Sequence, residues 1–182
     1  MSDPALRGCE TAPSPVHRFA GARYRRGMTT SHPLRALLDS QTIAALGTLH
    51  RGEPYVSMVP FALDDGELVI HVSALAPHTK DMLEHPRVSL LVVAPEAVGV
   101  PPQARARATV QGDATPLTPG SPEHARARAA YLARFPQAAD HFELPDFSIF
   151  RIRPVSVRLI GGFAQAASLV GEALDRALRG AR

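Results

Sequence analysis

Tryptophan is absent from this sequence of 182 residues, and cysteine and lysine occur once each, as Cys9 and Lys80. A single cysteine excludes an intrachain disulfide and a metal cluster built on several cysteines, and it is typical of proteins in a reducing compartment. Aromatic residues make up only 5% of the chain, so the core must be built mainly from leucine, valine, isoleucine and alanine.

Long apolar segments are missing as well. No stretch approaches the roughly 20 apolar residues of a membrane-spanning helix, and the N-terminus lacks the continuous apolar core of a secretory signal. We therefore expect a cytoplasmic protein that binds no membrane. Residues 1–30 are rich in Pro, Ala, Gly and Arg without periodicity, which predicts a mobile leader, with Met28 as an alternative start.

The net charge is +3 at pH 7, and almost all of the basic residues are arginines. Arg23, Arg25 and Arg26 surround Tyr24, a pattern that could attract phosphate or nucleic acid. A stacking platform for nucleic acid needs several aromatic residues along a groove, and this cluster has one. It is therefore interpreted as a solvated basic surface, and no nucleic-acid partner is expected.

The pattern of apolar residues predicts a mainly β fold. Strands are predicted over residues 43–49, 55–63, 68–73, 88–93, 105–114 and 147–160. Helices are predicted after a cap at Ser31 and over residues 78–84, 123–134 and 169–178, the last being amphipathic and lying in a closing segment, residues 169–182. Strands at short spacing with inserted helices favour one antiparallel β-barrel domain over residues 31–168, with peripheral helices.

Two shorter signals refine this fold. Asp64, Asp65 and Gly66 form a strong hairpin signal, and Pro154 predicts a bend or bulge in the final strand. Residues 68–70 and 90–93 are apolar on both faces of their strands. A strand that faces a barrel interior on one side needs an apolar cover on the other, which a helix or a second subunit can supply. The pattern therefore favours a homodimer.

The segment from Pro77 to Asp81 opens a helix directly after a strand and a loop. The first turn of a helix points free backbone N–H groups outward and carries a partial positive charge. His78, Thr79 and Lys80 add an imidazole, a hydroxyl and an ammonium group, which together predict a phosphate site. The alternative is that Thr79 caps the helix and Lys80 is solvated.

Arg105 and Arg107 point to the same side of a predicted strand, because side chains alternate with a period of two residues. Arginine can hold a phosphate through two parallel hydrogen bonds. The alternative, which the residues alone favour, is a strand edge made soluble by charge.

The histidines indicate no metal site. His50 lies in a predicted turn and His71 in a predicted strand, while His85, His124 and His141 are scattered. No cluster of histidines and carboxylates has the spacing of metal ligands. No motif of nucleophilic catalysis or dinucleotide binding is present either, so the catalytic residues are unknown at this stage.

The order of these segments resembles the pyridoxamine 5′-phosphate oxidase-related family, the FMN-binding split barrels. The matching segments are residues 52–61, 66–73, 78–92, 107–112, 131–136, 146–147 and 161–163, within a region from about 32 to 168. The most distinctive block is the helix followed by His-Pro-Arg-Val-Ser-Leu-Leu-Val. Within the family, the likeness is greatest to the branch that includes heme-utilisation proteins, which share the His-Thr-Lys and Gly-Gly-Phe features.

The resemblance implies a homodimer that binds FMN between its subunits. Backbone groups of Ser57, Met58 and Val59 would meet the flavin ring and ribityl chain, and Val72 and Ser73 would line the next strand. His78, Thr79 and Lys80 would hold the phosphate. Arg107 would reach the cofactor of the other subunit, and Phe147 would pack near the ring. Arg105 gains no support from the resemblance.

The chain also departs from authentic pyridoxamine phosphate oxidases. Those enzymes place basic side chains on the second strand, whereas no Lys or Arg occurs here between Arg51 and Lys80. Their C-terminal tryptophan and arginine–histidine signature is missing too, so oxidation of pyridoxamine phosphate is the least favoured function. The leading hypothesis is an FMN-dependent oxidoreductase acting on a small unidentified substrate. The alternatives are a heme- or flavin-binding protein without turnover, and a structural dimer without cofactor.

Overall fold

The computed structural model describes residues 32–162 and 165–179. Within them the strands are β1 (Ile43–His50), β2 (Glu53–Pro60), β3 (Ala62–Asp64), β4 (Glu67–Ser73), β5 (Arg87–Val93), β6 (Arg107–Pro116), β7 (Phe147–Gly162) and β8 (Gln165–Val170). The α-helices are α1 (Pro33–Ser40), α2 (Pro77–Glu84), α3 (Pro122–Arg134) and α4 (Gly171–Arg179). Short 3-10 helices cover Pro102–Ala104 and Pro136–Glu143.

The strands form one antiparallel sheet in the order β2-β1-β5-β6-β7-β4-β3, and β8 adds to β7. The two ends of this order, β2 and β3, are separated along the chain only by Phe61, which is fully buried. The chain therefore turns at Phe61 from pairing with β1 to pairing with β4, and the sheet closes on itself. This confirms the predicted antiparallel barrel with peripheral helices, although the strand predicted over 55–63 is divided in two.

Two apolar clusters cover both faces of β4. Leu68 and Ile70 point into the barrel, where α1 and α4 pack on the same cluster. Val69 points outward and packs with Ala127 and Tyr131 of α3. The apolar cover that the sequence requires for this strand is therefore a helix of the same chain.

The ends of the fold differ from the sequence predictions. The predicted cap Ser31 lies outside the described residues, and the side chain of His32 caps α1, since its Nδ1 accepts a hydrogen bond from the backbone N–H of Leu34 at 3.2 Å. The closing helix begins at Gly171 rather than at Leu169. Leu169 belongs to β8 and pairs with Val157, so its apolar side chain is accommodated by a strand instead of a helix.

The final strand is bulged beside Pro154, as predicted. Gly112 pairs with Pro154 while Gln111 pairs with Ser156, so Val155 has no partner on β6. Proline lacks the N–H that a regular ladder uses, and a bulge accommodates it.

Arg134 joins the end of α3 to the end of α1. Its Nη2 donates hydrogen bonds to the carbonyl oxygens of Leu38 at 3.1 Å and Asp39 at 3.0 Å, and it also contacts the Gln41 carbonyl. The guanidinium lies over the ring of Phe61, 5.3 Å from its centroid. One planar group thus stabilises the carbonyl end of a helix and covers the residue at which the barrel closes.

Replacement of Arg134 by lysine is expected to lower the free energy of unfolding by about 1–3 kcal/mol, because an ammonium group lacks the planar surface that covers Phe61 and the fixed geometry that directs Nη2 at the carbonyl oxygens. Arg126→Lys, on an exposed face of α3 and paired with Asp64 at 2.8 Å, is the matched control, with an expected change below about 1 kcal/mol. Urea denaturation followed by circular dichroism measures both. Equal losses in the two variants would contradict this role for Arg134.

Candidate functional site

The start of α2 has an open positive end. The helix begins with Pro77, whose fixed backbone angle suits a first helical position. The preceding residue, Ala76, provides no side-chain cap, and the first turn carries no acidic residue. Pro77 has no N–H and the Thr79 N–H donates to the Ala76 carbonyl at 3.1 Å, so the His78 N–H is the one in residues 77–79 without a described partner. Lys80 is exposed beside them.

The other two residues of the predicted phosphate motif bind within the chain. The Thr79 hydroxyl donates to the Ser73 carbonyl oxygen at 2.7 Å, and the residue is only 3% exposed. His78 Nδ1 lies 3.0 Å from the Ser57 hydroxyl, which joins α2 to β2. Burial lowers the pKa of the His78 imidazole, and the Asp81 carboxylate offsets this in part. His78 is therefore a neutral hydrogen-bonding group near pH 7, and Lys80 is the cation of this turn.

The predicted site residues on β2 and β4 differ in which of their groups can meet a ligand. The Ser73 hydroxyl donates to Asp146 at 2.6 Å and accepts from the Leu75 N–H at 3.1 Å. Val59 and Val72 point into the barrel core, so only their backbone can meet a ligand. Met58 points outward from the barrel.

Arg107 makes its described hydrogen bonds within its own segment of the chain, not with this turn. Its guanidinium donates to the carbonyl oxygens of Gln103 at 2.9 Å and Arg105 at 3.2 Å. At the other end of β6, the Ala114 N–H donates to the Pro86 carbonyl at 2.8 Å, just after the end of α2. The structure thus brings Ser57, Ser73, His78 and Thr79 together, and the described hydrogen bonds of Arg107 do not reach them.

A buried carboxylate connects α2 to β1, and the sequence analysis missed it. Asp81 is 3% exposed; one of its oxygens lies 2.8 Å from His50 Nδ1, and the other accepts from the Thr48 hydroxyl at 2.8 Å. Burial alone would raise the pKa of the Asp81 carboxyl, but the hydrogen bonds from His50 and Thr48 hold it below its ordinary value. Since His50 and Asp81 are 31 residues apart, no local sequence pattern joins them.

A cleft of about 770 Å³ lies on the other side of β4, between α3 and the segment before β7. Its lining includes His71, His124, Arg128, Phe142 and Phe147. The His71 ring stacks on Phe142 at 3.9 Å, and burial lowers its pKa to about 4, with His141, His124 and Arg128 adding to the effect. Phe147 is the one predicted site residue that lines this cleft, and His124, Arg128 and Phe142 were not predicted.

The outer face of β2, β1 and β5 is apolar and exposed. Val56 is 68% exposed and Met58 61%. Met58 lies opposite Ala45, which lies opposite Leu91, and the row continues to Thr109 on β6. Arg107 is on the same outer side of β6, two residues from Thr109, because the intervening Ala108 is buried in the barrel.

Within residues 32–162 and 165–179, no helix has the length and apolarity that crossing a membrane requires. In the same ranges, no three histidine, cysteine or acidic side chains are arranged to hold a metal ion.

Comparisons with known proteins agree on one family. A profile described as pyridoxamine 5′-phosphate oxidase matches residues 31–161. The chloroplastic heme oxygenase HOZ of Arabidopsis thaliana is 38% identical over 145 residues, which are 76% of this chain and 42% of that protein. The heme oxygenase HutZ of Vibrio cholerae is 28% identical over 125 residues, which are 68% of this chain and 71% of that protein. The structure of a heme binding protein from Mycobacterium smegmatis matches with a TM-score of 0.73 and 34% identity, over 84% of this chain and 62% of that one.

Proposed function

Because the chain belongs to the pyridoxamine 5′-phosphate oxidase family, we propose that it binds heme at the surface around the start of α2 and acts in heme oxidation. The observation that carries the proposal is the 38% identity to a protein named as a heme oxygenase, over most of this chain. The chain spans less than half of that relative, so oxidation itself is part of the proposal.

The residues around α2 suit a heme. A heme site commonly offers an axial ligand such as a histidine imidazole, with cations near the two propionates and apolar side chains against the ring. His50 and His78 supply imidazoles, and Lys80 supplies an exposed cation. Leu75 and Leu83 expose apolar side chains before and within α2. When bound, the iron supplies the oxygen chemistry, while the protein orients the ring and controls access to it.

We also propose that the chain works as a homodimer in which a second copy covers the outer face of β2, β1 and β5. Contiguous exposed apolar surface of this kind marks interaction sites. Arg107 lies on the same outer side, so a two-fold contact could carry it toward the α2 turn of the partner subunit. Sedimentation at micromolar concentration tests this, and Met58→Glu is expected to give a folded monomer.

FMN is a second candidate, favoured by the uncapped start of α2 and by Lys80. The phosphate would be held by the backbone N–H of His78, by Lys80 and by Arg107 of the partner subunit, and the flavin would carry the redox chemistry of a small substrate. The fit is less complete than for heme, because the Thr79 hydroxyl is already engaged and His78 is neutral. One chain therefore offers one cation to the phosphate.

Separate titrations of the purified protein with hemin and with FMN distinguish the two candidates. We expect a saturable shift of the heme absorption band with hemin and a weaker response with FMN. Lys80→Ala is expected to lower FMN affinity by about 5- to 150-fold, the scale of one charge-assisted hydrogen bond. Tight FMN binding without saturable hemin binding would overturn the heme proposal. Loss of the heme band with ascorbate in the presence of catalase separates an oxygenase from a carrier.

The compartment remains a proposal as well. The single cysteine favours a reducing compartment, and we propose the cytoplasm. Fractionation of cells expressing the tagged chain tests this assignment.

A further inference from the structure

We infer that His50 is the protein ligand of the heme iron and that Asp81 is the residue that positions it. This inference rests on the proposed binding of heme. It concerns two side chains that neither the sequence patterns nor the family resemblance singled out for a ligand.

The contact between His50 and Asp81 prepares the imidazole for a metal. Asp81 is an acceptor when ionised, so the 2.8 Å contact holds the proton of the neutral ring on Nδ1. The lone pair then lies on Nε2. Metal-binding histidines commonly donate their other ring N–H to a carboxylate, which fixes the tautomer and strengthens the imidazole as a ligand.

The ring is also oriented outward. Nδ1 faces a carboxylate that is almost fully buried, whereas 36% of the His50 side chain is exposed. The inference places Nε2, which faces away from Asp81, in this exposed part. Tyr55 lies beside the ring, with centroids 5.6 Å apart, and limits its rotation.

His50 is the one histidine with this arrangement among the seven in residues 32–162. His32 Nδ1 caps α1, and His78 Nδ1 contacts a hydroxyl rather than a carboxylate. His71 lies buried in a stack of aromatic rings. His85 approaches Glu84 only at 3.7 Å, and through Nε2, the nitrogen that ligation would need.

The groups flanking the pair suit an anionic ring. Arg51 follows His50 in the turn after β1, and Lys80 precedes Asp81 on α2; both are exposed. The Thr48 hydroxyl donates to the other oxygen of Asp81, not to the one that contacts Nδ1. Asp81 thus acts through His50, which would touch the iron.

A purely structural role is the competing explanation, because the same contacts attach α2 to β1. The test therefore compares variants that all weaken the attachment of α2 to β1 but are expected to affect the iron ligand differently. His50→Gly removes the ligand, Asp81→Asn changes the acceptor at Nδ1, and Thr48→Val is the matched control that removes one hydrogen bond of the attachment without touching His50.

Hemin titration and resonance Raman spectroscopy of the reduced heme complex provide the readouts. We expect His50→Gly to lose at least about tenfold in hemin affinity together with the iron–histidine stretching band, and added imidazole to restore both. Asp81→Asn is expected to lower the frequency of that band, and Thr48→Val to leave it nearly unchanged. The imidazole rescue does not depend on whether Asp81→Asn folds.

Two results would overturn the inference in distinguishable ways. If wild-type protein binds hemin and folded His50→Gly keeps the same affinity and the same band, His50 is not the ligand although the proposed function stands. If wild-type protein shows no saturable hemin binding, the proposed function itself fails.

Discussion

Replacing Gly112 with alanine is expected to lower the free energy of unfolding by about 3 kcal/mol, at the upper end of the cost of overpacking a core. A Cβ at this position would lie 2.5 Å from the Arg153 carbonyl oxygen and 3.0 Å from the Ile152 side chain. The first of these atoms is backbone, so β7 itself must shift. Because the contact lies beside the bulge at Pro154, the shift disturbs the pairing of β6 and β7.

Gly47→Ala is the matched control for this prediction. Gly47 also lies in a barrel strand, but a Cβ there would make only ordinary contact with Ser89, at 3.5 Å from its carbonyl oxygen. Urea denaturation of both variants measures the difference. A loss at Gly112 no greater than that at Gly47 would show that β7 can move freely at the bulge.

The stability of the protein is expected to fall as the pH falls from 6.5 to 4, owing to His71. Its pKa is about 4 in the fold and about 6.5 in the unfolded chain. Between these values the unfolded state binds more protons, so the folded state loses stability as the pH falls, and the loss levels off below pH 4. The full effect of this shift is about 3 kcal/mol.

His71→Phe isolates this contribution, because it removes the titrating group and keeps an aromatic ring against Phe142. The variant is expected to lose less stability than the wild type between pH 6.5 and 4, as measured by urea denaturation at several pH values. His85→Gln, which removes a histidine whose side chain is 42% exposed, is the control for the loss of one imidazole. Identical slopes in wild type and His71→Phe would mean that His71 binds its proton over the same pH range in the folded and the unfolded protein, which would contradict the prediction.

Local patterns were enough to predict most of the barrel. Asp65 and Gly66 have positive φ angles of 48° and 85°, as a tight two-residue hairpin requires, and Asp-Gly is the sequence that favours it. The end of the chain was harder to predict. Leu169 and Leu174 fit one helical stripe, yet Gly171 has a φ of 53° and separates a strand from a shorter helix.

The candidate site was predictable only where one segment carries it. Residues 77–80 were predicted from their position at a helix start, and α2 does begin at Pro77, while their binding of a phosphate stays a prediction. The sequence could not reveal that the Thr79 hydroxyl donates a hydrogen bond to the Ser73 carbonyl oxygen, because this contact depends on how the loop before α2 folds back. The pairing of His50 with Asp81 likewise arises from the packing of α2 against β1.

The most direct test of heme binding around α2 is hydrogen exchange of the protein with and without hemin, measured by mass spectrometry at one protein concentration. We predict slower exchange on hemin binding in residues 48–58 and 76–83. Protection confined to residues 119–147, which border the cleft at His71, or no protection at all, would contradict this account.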